Sequence, residues 1–199
     1  MQNTSKLQAV NTLLSNIGAA PVNSVDTPSS DVAIAVTTLD EVSLSVQNYG
    51  WHFNTEDNYP MVPDDDGFIY LPEGTLLVDV ETENNVSQDL DVVIRGERLY
   101  NKYTRSYTFT ESIKARIVRA LDWEELPQAA RTYIMISASR VFQDRVVGSE
   151  KHHGFTLRDE QMALANLKRY EAQTSDANIF DNHSVGRVIE RYYPHPFLG

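Results

Sequence analysis

The stretch 126–148, LPQAARTYIMISASRVFQDRVVG, constrains the fold more than any other part of the chain. Between Thr132 and Ser139 it carries no charge, and Arg131, Arg140, Asp144 and Arg145 stand only towards its ends. A helix with this pattern has a middle that is apolar all round, and it is stable only if other elements surround it. Pro127 suits the first turn, where its missing N–H costs no hydrogen bond, and Gly148 suits the left-handed residue that closes a helix. At 1.5 Å per residue the span is roughly 30 Å, about the diameter of a small domain. The sequence therefore predicts a helix at the centre of the core, and says nothing yet of chemistry.

A chain of 199 residues accommodates one domain, or a core domain carrying an insertion. No run approaches the roughly 18 apolar residues of a membrane span, so membrane insertion is not expected. The start, MQNTSKLQAV, has no basic segment leading into an apolar one, so no secretory signal is expected and synthesis in the cytoplasm is. There is no cysteine, which excludes disulfides, thiolate ligands and cysteine nucleophiles together. The net charge of −11, from 28 acidic against 17 basic residues, opposes ordinary nucleic-acid binding, which requires a positive surface. The plainer use of such a charge is solubility.

Leu7, Val10, Leu14 and Ile17, with Leu13 beside them, repeat at helical spacing behind a cap at Thr4 or Ser5, and Gly18 and Pro21 stop the helix. A second helix is expected after Ser29 or Ser30, with Asp31 in its first turn and a stripe of Val32, Val36, Leu39, Ser43 and Val46, closed by Gly50. Its many β-branched residues make packing, not propensity, its support. From Trp51 the period changes, and YPMVPDDDG is expected as a loop that continues neither regular structure. Strand-like runs follow at 68–71, 75–80, 91–94, 98–103, 107–110 and 113–121, with Arg95-Gly96-Glu97 as a hairpin turn. A fourth helix is expected at 155–175. The fold class this gives is α+β: a four-helix bundle core (1–50 and 122–176), an inserted antiparallel β subdomain (51–121) and an extended C-terminal tail (177–199). That tail is unusually apolar, with Ile179, Phe180, Val185, Val188, Ile189, Tyr192, Tyr193 and Phe197, so it either folds back on its own subunit or docks on another chain.

Catalytic and metal motifs are sparse. Asp64-Asp65-Asp66-Gly67 resembles part of a calcium loop, but Val62 would hold the first ligand position and has no side-chain oxygen, so a solvated turn is the better reading. His152 and His153 are adjacent, about 100° apart on a helix, and do not converge on one metal. No cofactor, catalytic residue or metal ligand is assigned. Asp122, Glu124 and Glu125 supply the paired carboxylates that a rival, enzymatic reading as a polysaccharide hydrolase would need. Arg95, Arg98, Lys102 and Arg105 interleave with Tyr100, Tyr103 and Tyr107 on the expected hairpins. On an acidic chain this reads as a protein interface, since arginine and tyrosine are enriched in interface cores.

The pieces LQAVNTLLSNIGAAPV at 7–22, YGWHFNTE at 49–56 and ALDWEELPQAARTYIMISASRVFQDRVVG at 120–148 together resemble the tail tubular protein A family of short-tailed bacteriophages. With DVVIRGERLY at 91–100 the resemblance covers about two thirds of the chain, leaving 57–89 and the segment after Asp176 unmatched. It implies a non-enzymatic virion protein, the head-to-tail adaptor, assembled as a dodecameric ring that joins the portal protein to the tail nozzle protein and extends the DNA channel. It also implies contact with tail fibres, and genome DNA passing through without specific binding. On this reading Val185, Val188, Ile189, Tyr192, Tyr193 and Phe197 are expected to dock on the portal. Arg95, Arg98, Tyr100, Tyr103, Arg105 and Tyr107 are expected to meet the nozzle or neighbouring subunits.

Overall fold

The computed structural model describes residues 3–80, 90–146 and 150–175. Within them the chain forms four α-helices, α1 (Lys6–Asn16), α2 (Ser30–Gln47), α3 (Gln128–Val146) and α4 (Glu150–Thr174). Between α2 and α3 lie five strands, β1 (Thr55–Met61), β2 (Thr75–Asp79), β3 (Val92–Arg95), β4 (Arg98–Asn101) and β5 (Ile113–Arg119). Helix α3 packs against α1, α2 and α4, so the apolar stretch is surrounded as its composition requires. No residue from 129 to 143 is exposed, and Ala130, Ile134, Ala138 and Phe142 are fully buried.

The caps follow local chemistry. Ser5 caps α1 and exchanges hydrogen bonds with Gln8, a reciprocal pair that satisfies two N–H groups the helix itself cannot. At the other end Gly18, at φ +75, donates to Ser15 O and Ala19 donates to Leu14 O, the paired closure that a left-handed glycine permits. Helix α4 begins at Glu150, five residues earlier than the apolar pattern suggests. Gly154 lies inside it, because an interior glycine costs only about 1 kcal/mol, which a long packed helix offsets.

The strands form an antiparallel sheet in the order β1-β5-β2 and a separate β3-β4 hairpin. The hairpin turns at Gly96, φ +64, between the paired Arg95 and Arg98, as the sequence predicts. Two expectations fail. The stretch 59–61 is strand, not loop: β1 lies at the sheet edge, where Pro60 has no ladder bond to lose, and Asn58 at φ +56 sits in the bulge between Glu56 and Tyr59. Conversely, 68–71 and 107–110 form only the isolated bridges Phe68 to Thr108 and Tyr70 to Arg98. Local side-chain bonds compete with the ladder there. Asp64 accepts the N–H groups of Asp66 and Phe68, and Ser106 Oγ accepts that of Thr108. The same bonds make Asp64 the anchor of a turn.

Two apolar clusters result. One joins the helices with Trp51, Trp123 and Leu126, and the other gathers Met61, Ile69, Leu99, Phe109, Ile113, Ala115 and Ile117 among the strands. Buried amides tie the end of α2 to the chain at the end of β5. Gln47, at the end of α2, donates to Leu121 O (3.1 Å) and accepts from Leu121 N (2.7 Å). Asn54 donates to Gln47 O (2.9 Å) and Arg119 O (2.8 Å) and accepts from Trp51 N (2.9 Å). Helical spacing alone does not mark either residue as buried.

Candidate functional site

Strand alternation and pairing put Val93, Arg95, Arg98 and Tyr100 on the outer face of the β3-β4 hairpin, while Leu99 and Asn101 are buried beneath. On that face the Arg95 guanidinium lies 3.7 Å from the Tyr100 ring centroid. Tyr100 meets Tyr107 edge to face at 4.9 Å and 63°. The Arg98 guanidinium sits 5.0 Å from both the Tyr107 and the Phe68 rings. The result is a ladder of alternating cations and rings, each contact contributing about 0.5–1 kcal/mol at such exposure. Neither Arg95 nor Arg98 forms an ion pair among the described residues. Their five-donor forks remain suited to a carboxylate brought by a partner.

Four of the six hairpin residues singled out by sequence are thus brought together, and two are not. Tyr103 and Arg105 stand on the turn 102–105, closed by Asn101 N to Ser106 O (2.9 Å) and Ser106 N to Asn101 O (3.2 Å). Tyr103 is 66% exposed and Arg105 takes φ +56, so this turn forms a separate tip. Lys102 is held at its base by Asp91, at 2.9 Å. Sequence reasoning missed Phe68, which completes the ladder from some thirty residues upstream and is placed by the single bridge to Thr108. No spacing rule could have found it. The C-terminal candidates Val185, Val188, Ile189, Tyr192, Tyr193 and Phe197 lie outside the described residues.

The rival reading, a virion-associated hydrolase of envelope polysaccharide, rests on Asp122, Glu124 and Glu125. Asp122 and Glu125 cap one another across a single 3-10 turn, with Asp122 N donating to Glu125 Oε2 at 3.3 Å, while Glu124 offers its carbonyl to Arg131. Asp122 and Glu125 also line a cavity of about 520 Å³, together with Asp40 and Glu73. Among the described residues, no three His, Asp or Glu side chains are placed to hold a metal ion.

A second polar group lies between α3 and α4. Glu160 accepts from Ser137 Oγ (2.6 Å) and from Arg140 Nε (2.5 Å) and Nη2 (3.2 Å). The hydrogen bond to Glu160 raises the Arg140 pKa, and burial, then the Glu160 charge, raises that of the nearby Tyr133. For Tyr133 the sign is clear: the folded chain resists ionisation, so this contribution to stability is complete below about pH 10 and is lost as pH rises through the folded value. Thermal melts across pH 9 to 12 are expected to show an alkaline decline that is shallower in Tyr133→Phe. Parallel slopes in the two proteins would contradict the assignment.

The described residues thus combine one enclosed helix with an Arg/Tyr face on a hairpin, and comparison with known proteins assigns this scaffold to a structural component of the bacteriophage tail. The chain belongs to the tail tubular protein family, whose model matches residues 7–177. It is similar to tail tubular protein A of Klebsiella phage KP34, 24% identical over 166 residues that cover 83% of this chain and 86% of that protein. The family match takes in 57–89, which the motifs had left unmatched, and stops near the start of the apolar tail.

Proposed function

We propose that this tail component is the head-to-tail adaptor, a ring of identical copies, twelve by family resemblance, that joins the portal to the tail nozzle and continues the DNA channel. The observation that carries the reading is the cation and ring ladder. A chain of net charge −11 that gathers, on one hairpin face, arginines with no carboxylate partner among the described residues presents a surface complementary to the acidic remainder of another copy or of the nozzle. A closed ring needs such unlike surfaces, because each copy meets its two neighbours through different faces. The helices (1–50 and 122–176) form the bundle that is the ring body in this proposal, and the inserted β subdomain (51–121) is its contact arm. Acidic side chains facing the lumen let DNA slide, since they offer no partner to phosphate. The tail fibres are a further partner by resemblance.

Electron microscopy of the purified protein mixed with its portal is the deciding experiment, and a closed ring seated on the portal is the expected image. In the same preparation, deleting residues 177–199 should abolish portal binding and leave the fold intact, because Val185, Val188, Ile189, Tyr192, Tyr193 and Phe197 are the proposed anchors. Binding retained after the deletion would remove that assignment. Amides at 95–107 should gain exchange protection on ring or nozzle assembly, and no gain would remove the hairpin from the interface.

A further inference from the structure

Ile179 and Phe180 are apolar residues of the tail that the portal-docking proposal does not use, and the helical part of the structure has a groove at the place where the tail begins. The groove, about 450 Å³, runs between α2, α3 and α4 and is walled by Val46, Tyr49, Trp51, Val141 and Leu164, with Lys168 at its rim. Tyr49 is 76% exposed there, although its ring packs 4.9 Å from that of Trp51. Such an exposed aromatic over an apolar trough is an unpartnered surface.

We infer that Ile179 and Phe180 of the same chain fill this groove and clamp the root of the tail to the helices. Three observations converge on this occupant. First, α4 itself forms one wall, and from Lys168 to Ser175 it advances only about 10 Å. Glu171, one turn before the helix ends, accepts a hydrogen bond from His52 N (2.6 Å), which fixes the exit of α4 beside Trp51. Second, the four residues from Ser175 to Ile179 span about 14 Å when extended, enough to turn back into the trough. Occupancy by the chain's own segment then carries a local concentration of millimolar order, which no free partner matches. Third, Asp181 follows Phe180 directly, and Lys168 at the rim forms no ion pair among the described residues. Seating the two apolar side chains brings opposite charges together at the mouth. Residues 185–199 stay outside the groove in this arrangement, so the inference does not depend on the adaptor reading and needs no portal for its test.

The absence of natural cysteine makes the test direct. In the full chain, Ser45→Cys at the groove is paired with Phe180→Cys or, as a distant control, with His195→Cys, and each is oxidised at low protein concentration. The expected result is a disulfide within single chains for the Phe180 pair in most molecules and for the control pair in few. Disulfide-linked dimers would assign the groove to a second copy and overturn the inference, and so would equal yields from the two pairs. In the cysteine-free chain, Phe180→Ala should raise amide exchange at 42–49 by roughly tenfold as the groove opens. Unchanged exchange there would overturn it as well.

Discussion

Replacing Arg131 by leucine is expected to destabilise the chain by about 3–4 kcal/mol and lower its melting temperature by roughly 10 °C. Arg131 is 5% exposed, in the first turn of α3, a place where a cation opposes the helix dipole. Three backbone carbonyls compensate: Nε donates to Leu126 O (2.8 Å), Nη1 to Thr4 O (3.0 Å) and Nη2 to Glu124 O (2.5 Å). The guanidinium thus ties the N-terminal segment, the 3-10 turn at Trp123–Glu125 and the start of α3 into one corner. Leucine fills much of the volume but leaves these acceptors without their donor, at about 1–3 kcal/mol for each that stays dry. Thr4 O keeps a second bond, from Trp123 Nε1 at 2.9 Å, which is why the total falls short of three full penalties. Arg131→Lys keeps the charge but cannot reach three diverging carbonyls from one nitrogen, and about half the loss is expected to remain. A leucine variant within 1 kcal/mol of the parent in denaturant unfolding would show that the corner is held by other contacts.

Arg131 also shows where the sequence is legible and where it is not. Periodicity located all four helices and the central place of the uncharged stretch, because an apolar surface on every side of a helix has only one solution, enclosure. It treated Arg131 as an end-of-helix charge, since an arginine buried on carbonyls has the same letter as one in water. Gln47 and Asn54 escaped for the same reason: their burial follows from carbonyls at positions 119 and 121, which approach them only after the strands pair. Within the hairpin, alternation marked Arg95, Arg98 and Tyr100 as neighbours, whereas Phe68 joined them through one isolated bridge that leaves no local pattern. Extended runs at 68–71 and 107–110 were overcounted as strands because local side-chain bonds outcompete a ladder only one pair long.

Asn54→Asp is the substitution expected to test whether the hairpin arm and the helices act as one body, and it should cost about 3–5 kcal/mol at neutral pH. Asn54 is 3% exposed, and its amide donates to the carbonyls of Gln47 and Arg119, one at the end of α2 and one at the end of β5. The substitution replaces those two donors by a carboxylate oxygen aimed at two carbonyl oxygens, with no cation among its hydrogen-bond partners. The carboxyl at Asn54→Asp is held neutral by burial, so its folded pKa lies above the ordinary 3.9, and the stability it retains is present below that pH and lost as pH rises through the folded value. The variant should therefore come closest to the parent at acid pH, the reverse of most surface carboxylates. Because Asn54 bridges the end of α2 and the end of β5, native-state exchange is expected to split, the strands opening before the helices where the parent opens as a unit. In the proposed ring, with its contact face on the hairpin, such a joint would carry force to the helices. A variant that lost stability uniformly in both clusters, with no split at any pH, would show that the joint is redundant and that packing between the sheet and α2 carries the coupling.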